Sequence, residues 1–205
     1  MAFADEKCVD FIDALAAKQP TPGGGGAAAY VGALGTALGR MVCAYTIGKK
    51  KYADVEKEIL GIEETLKEMQ DQLAGMVDRD AAAFKPLSEA YGLPKDAPDR
   101  EIVMENALRR AATVPVDVMC DVCGVIEYLD VLAEKGSRMV ISDAGVAAEC
   151  CKAALRGAAL NVYINTKSMT DREYAELIDE QTDTMLKEYV PMADRVYEKV
   201  LAAVR

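Results

Sequence analysis

An all-α domain, a bundle of about six helices several of which are long, is the fold this sequence predicts. Apolar residues recur at steps of three and four along most of the chain, and the strict alternation of a half-buried strand is nearly absent. The aromatic content points the same way, because with Phe 3, Trp 0 and Tyr 9 the hydrophobic 51% of the chain must pack mainly as aliphatic side chains. No linker-like stretch divides residues 1–205, so a single helical domain is expected.

The first helix is expected from about Asp5 to Ala17. The second begins in PTPGGGGAAA and continues to about Ile47, with Ala28, Gly32, Gly35, Gly39 and Cys43 on one small-residue stripe where another helix backbone can approach closely. The third is expected from about Tyr52 to Ala90, ending at the turn YGLPKDAPD. A fourth runs from about Arg100 to Ala133 with a kink or break at Pro115. A fifth spans about Asp143 to Asn165, and a sixth starts near Thr170, where TDRE reads as a capping box closed by Glu173. Pro191 is expected to bend it.

Two helices carry polar residues where apolar ones belong. In the third, Tyr52, Val55, Ile59, Ile62, Leu66, Met69, Leu73, Met76, Asp80, Ala83 and Leu87 form one seam, and Asp80 is its one carboxyl. A carboxyl facing a core is hydrogen-bonded, paired or shifted in pKa, so Asp80 is either a bond acceptor for a neighbouring helix end or a site residue. In the fifth, Asp143, Ala147, Cys150, Ala154, Gly157, Asn161 and Asn165 share a face. Asp143 suits a helix start as well as a site, and the two amides, one turn apart, can both donate to and accept from a heterocycle's edge.

Composition narrows the chemistry. With His 0, any acid or base must be Asp, Glu, Lys, Tyr or Cys. A net charge of -10 argues against a nucleic-acid partner. The stretch from Ala14 to Ala53 nevertheless contains no Asp or Glu and carries Lys49, Lys50 and Lys51, which suit either a helix end or an anionic ligand. Cys120 and Cys123, with Cys150 and Cys151, read as small buried thiols and no metal site is expected. The apolar run from Gly26 stops at Arg40, short of the roughly 18–20 residues of a membrane span, so a buried helix is expected there. MAFADEKCVDFID lacks the pattern of a secretory signal, and a cytoplasmic protein is expected.

The glycines leave two readings open. Unencumbered N–H groups at a helix start form a nest for an anion or a carbonyl oxygen, and small residues equally allow two helices to cross tightly. Neither a Walker loop nor a dinucleotide fingerprint is present, since no GK[ST] follows and no strand precedes.

PTPGGGGAAA at 20–29, TIGKKKY at 46–52, DRDAAAF at 78–84 and SDAGVAAECCKAALRGAALNVYIN at 142–165, in this order and spacing, resemble the cyclodeaminase/cyclohydrolase family of folate enzymes. The resemblance spans nearly the whole chain. It departs at Gly26, where the family usually has Ser or another small residue after three glycines. What it implies is a helical homodimer that binds a tetrahydrofolate without metal or redox cofactor. Asp80 and Asp143 become the implied acid and base. Thr21, Gly23, Gly24, Gly25, Gly26, Asn161 and Asn165 become substrate-binding, and Lys49, Lys50 and Lys51 are implied to meet the glutamate tail. The implied reaction is hydrolysis of 5,10-methenyltetrahydrofolate to 10-formyltetrahydrofolate. The alternatives are the ammonia-releasing formimidoyltetrahydrofolate cyclodeaminase and a non-catalytic bundle that binds a folate or another protein.

Overall fold

The computed structural model describes residue 3 and residues 7–205. Six helices account for most of it: α1 (Cys8–Ala16), α2 (Gly24–Thr46), α3 (Glu56–Tyr91), α4 (Arg100–Lys135), α5 (Ile141–Thr166) and α6 (Arg172–Val204). Short 3-10 turns lie at Lys50–Tyr52 and Arg138–Val140, and no strand occurs among the described residues. The expected start of the first helix at Asp5 lies outside the described residues.

α2 is the central element, packed against α3, α4 and α5. Its glycines are the reason it can be. A Cβ at Gly35 would come within 2.8 Å of Cys151 Sγ and 3.0 Å of the Ala147 carbonyl, and one at Gly32 within 3.0 Å of Val122. Along this stripe the glycines serve close helix packing. The pairs Gly24 with Asn161 and Gly35 with Cys151 set α2 and α5 antiparallel. Leu66 beside Gly39 and Asp80 beside Gly26 set α3 antiparallel to α2 as well. The seam predicted on α3 is the face that packs inward, with Ile59, Leu66, Leu73 and Leu87 fully or almost fully buried.

Local expectations fail at three points. The third helix starts at Glu56 rather than Tyr52, because Gly48 turns the chain with φ 75° and its N–H donates to Glu56 Oε1 at 2.7 Å. Of the kink or break expected at Pro115, the break does not occur: the ring is buried, and surrounding packing offsets the roughly 3 kcal/mol that an interior proline costs. The cap of α6 is Asp171, whose side chain accepts from the Tyr174 N–H. Thr170 instead gives its N–H (2.7 Å) and hydroxyl (2.9 Å) to Glu105 of α4, fastening the α5–α6 connection to that helix.

Candidate active site

The glycine run ends in a pocket. Gly23 is the residue before α2 and offers no side-chain cap, so the first N–H groups of a 23-residue helix find no acceptor in their own segment. The antiparallel α3 places Asp80 beside them, and its Oδ2 accepts the Gly26 N–H at 2.9 Å. Asp80 is thus a cap supplied by another helix, its negative charge at the positive end of α2. Only one carboxyl oxygen is used in this way. Asp80 also lines a cavity of ≈ 190 Å³ together with Thr21, Gly23, Gly24 and Gly25. The desolvation of this half-buried carboxyl pushes its pKa up, and the Gly26 N–H only partly counters the rise.

Asn161 and Asn165 of α5 complete the polar wall. Asn161 Nδ2 donates to the Gly157 carbonyl at 2.8 Å, and Asn165 Nδ2 donates to the Asn161 carbonyl at 2.7 Å. Both amide nitrogens are therefore turned back onto their own helix, which leaves the side-chain oxygens as the free acceptors. Opposite them, Ala111 and Pro115 of α4 form a wall where the proline has no N–H to give the Ala111 carbonyl. Phe84, one turn beyond Asp80, and Ile164 supply the apolar surfaces. Among the described residues, no lysine or arginine lines this cavity.

Thr21, Gly23, Gly24, Gly25, Asp80, Asn161 and Asn165, named from the sequence, are all in this lining, and Gly26 borders it through its bond to Asp80. The other four are not. Asp143 lies in the first turn of α5, eighteen residues of helix or about 27 Å from Asn161 at 1.5 Å per residue, where it complements the helix dipole. Lys49, Lys50 and Lys51 follow the far end of α2, about 33 Å from Gly24. Within one chain these four residues do not meet the pocket. Phe84, Ala111, Pro115 and Ile164 were not singled out from sequence, although Phe84 stands four residues after Asp80 and Pro115 marks an irregular point in α4. The thiols of the two cysteine pairs sit on helices: Cys123 and Cys151 are buried as expected, and burial pushes the Cys123 thiol up to about 12, whereas Cys150 is half-buried and Cys120, on the outer side of α4, is exposed against that expectation.

Neighbouring glycines differ sharply in what they tolerate. A Cβ on Gly26 would meet Val77 at 3.5–3.6 Å, ordinary packing distance. Gly26→Ala is expected to keep turnover within a few-fold and to raise stability by about 0.5–1 kcal/mol, read from urea unfolding, because alanine loses less backbone entropy in a helix.

Residues 7–184 match the family model described as Formiminotransferase-cyclodeaminase. The chain is 44% identical to the methenyltetrahydrofolate cyclohydrolase of Methylorubrum extorquens, over 98% of each. It is 33% identical to the formimidoyltransferase-cyclodeaminase of Gallus gallus across 87% of this chain, a region that makes up 34% of that longer protein. A crystal structure of formiminotetrahydrofolate cyclodeaminase from Thermotoga maritima superposes with a TM-score of 0.82 at 33% identity, over 97% of this chain and 96% of the other.

Proposed function

The chain belongs to the formiminotransferase-cyclodeaminase family, and from that premise we propose that it hydrolyses 5,10-methenyltetrahydrofolate to 10-formyltetrahydrofolate. The observation that carries this reading is the polarity of the pocket: a carboxyl, two amide oxygens and, among the described residues, no cationic side chain. Such a wall complements the amidinium-like cation between N5 and N10 of the methenyl substrate. The full-length likeness to a methenyltetrahydrofolate cyclohydrolase supports the same choice.

Asp80 acts on water. Its raised pKa makes the ionised carboxylate a stronger base than an exposed aspartate, and the Gly26 N–H holds one oxygen while the other takes a proton from the attacking water. The oxygen bonds to the bridging carbon and gives a neutral carbinolamine. Cleavage of the carbon–N5 bond then leaves the formyl group on N10. N5 gains a proton from protonated Asp80, the carbinol hydroxyl loses its own, and the net reaction consumes one water and releases one proton. The open N–H groups of Gly24 and Gly25 suit the developing carbinol oxygen. Only carboxyl, amide and backbone groups take part, so the proposed chemistry uses no metal or redox cofactor.

The cyclodeaminase reaction is the second reading, favoured by the likeness to the Thermotoga maritima enzyme. Both are decided by one experiment. Purified protein added to 5,10-methenyltetrahydrofolate is expected to speed loss of its absorbance. Appearance of that band from 5-formiminotetrahydrofolate, with ammonia, would make the second reading correct, and silence in both assays would leave a binding protein.

The enzyme is proposed to work in the cytoplasm as a homodimer. The outward face of α2 and α5 exposes Leu34 (48%), Leu160 (69%) and Ile164 (64%), and Ile164 also borders the pocket. A second copy covering this face would remove that apolar surface from water. Leu34→Glu combined with Leu160→Glu is expected to halve the mass measured by light scattering, whereas an unchanged mass would place the seam elsewhere.

A further inference from the structure

On the folate reading the pocket takes the pterin and one-carbon bridge, and its described lining holds no cation for the anionic glutamyl tail. A second cavity, of ≈ 410 Å³, adjoins it at the same end of the bundle. The two share elements turn by turn: on α4 Met104 and Leu108 line the second cavity and Ala111 and Pro115 the first, at steps of four, three and four. On the other side Asn165 lines the first and Ser168 the second, and the Ser168 N–H donates to the Asn165 carbonyl at 3.0 Å. The buried Leu108 and Ala111 stand between the two cavities, so a ligand extended along α4 from the first would cross one turn of helix to reach the second.

That cavity contains the cations the first one lacks. Lys95 and Arg100 line it, and neither takes part in an ion pair among the described residues. Arg100 Nε is buried and finds no hydrogen-bond acceptor there, an expensive arrangement unless a ligand supplies one. Of the two carboxylates on the wall, Glu105 is already occupied by Thr170 and Arg109, and Glu101 is exposed to solvent. The candidate cations read from the sequence, Lys49–Lys51, follow the opposite end of α2, a helix about 33 Å long that starts at the active-site pocket.

Resting on the folate reading above, we propose that the cavity between the α3–α4 connection and the start of α4 binds the γ-glutamyl carboxylates of the substrate through Lys95 and Arg100. The test compares three forms of methenyl substrate: a pteroate without glutamate, a monoglutamate and a triglutamate. The native enzyme is expected to show a KM at least about 10-fold lower for the triglutamate than for the pteroate, with the advantage shrinking as salt is raised. Combining Lys95→Ala with Arg100→Ala is expected to collapse that ratio towards one, in KM rather than kcat. Lys95→Ala alone, on an exposed loop, keeps the test open should the double variant fold poorly.

Calorimetry with p-aminobenzoyl-triglutamate, which has no pterin, reads the cavity independently of turnover, so failure of the proposed reaction and failure of this subsite remain distinguishable. Loss of that binding in the variants supports the assignment. A ratio that survives in the double variant, or native enzyme with no preference for glutamate, overturns it. Collapse instead on combined substitution of Lys49, Lys50 and Lys51 by alanine would also overturn it, and assign the tail to those lysines.

Discussion

Asp80→Asn is expected to lower turnover of methenyltetrahydrofolate by about 100-fold or more, equivalent to about 2.7 kcal/mol of transition-state stabilisation, with the fold intact. The amide keeps an oxygen to accept the Gly26 N–H, so the cap on α2 survives while the proton acceptor is lost. Stability should move in the opposite direction to activity. Burial raises the pKa of this carboxyl in the folded chain, so the folded state holds its proton more tightly than the unfolded one. The native protein therefore loses stability as pH rises from the ordinary aspartate value, about 3.9, through the raised one. The amide variant lacks that loss, and at neutral pH it is expected to unfold at higher urea than the native enzyme. A variant that is less stable and still active would show Asp80 to be a structural cap alone.

Gly25→Ala is the second substitution expected to be severe. A Cβ there would lie 2.6 Å from Asp80 Cγ, closer than real side chains approach one another, so the carboxyl must be displaced. Displacement breaks its bond to Gly26 and moves the base by the order of an ångström, a misplacement that costs about 100-fold when positioning carries the catalysis. Steady-state kinetics of Gly25→Ala beside Gly26→Ala isolates this effect, because one methyl enters the carboxyl's space and the other enters ordinary packing distance. Equal behaviour of the pair would remove the steric argument.

How far the site was legible depended on which direction of a helix was being read. Asp80 was visible because a seam of aliphatic residues makes one carboxyl conspicuous, and that seam is indeed buried around it. Asn161 and Asn165 were visible for the same reason on α5. A shared face, however, fixes an angle around the axis and says nothing of position along it. Asp143 shares the stripe of Asn161 yet stands at the other end of a 26-residue helix. Lys49–Lys51 fell into the same gap, since the acid-free stretch that contains them runs the full length of α2 from the pocket to the opposite end. The walls given by Ala111 and Pro115 needed the tertiary arrangement, because nothing in α4 alone tells which neighbour its proline faces. Thr170 was misread as a cap because two adjacent residues, Thr170 and Asp171, can each fill that role; the carboxylate of Glu105 claims the first and leaves the second.

The bond between Asp80 and Gly26 makes one backbone amide a witness to the chemistry. A carboxylate accepts a hydrogen bond more strongly than a carboxylic acid does, so each protonation of Asp80 weakens its hold on the Gly26 N–H. The nitrogen and proton resonances of that amide would shift with the titration of the base itself. Its protection from deuterium exchange, taken relative to the intrinsic rate at each pH, would fall as the base fills. In a protein without histidine, the glycine run thus provides a spectroscopic handle on the proton carrier, at the first turn of the central helix.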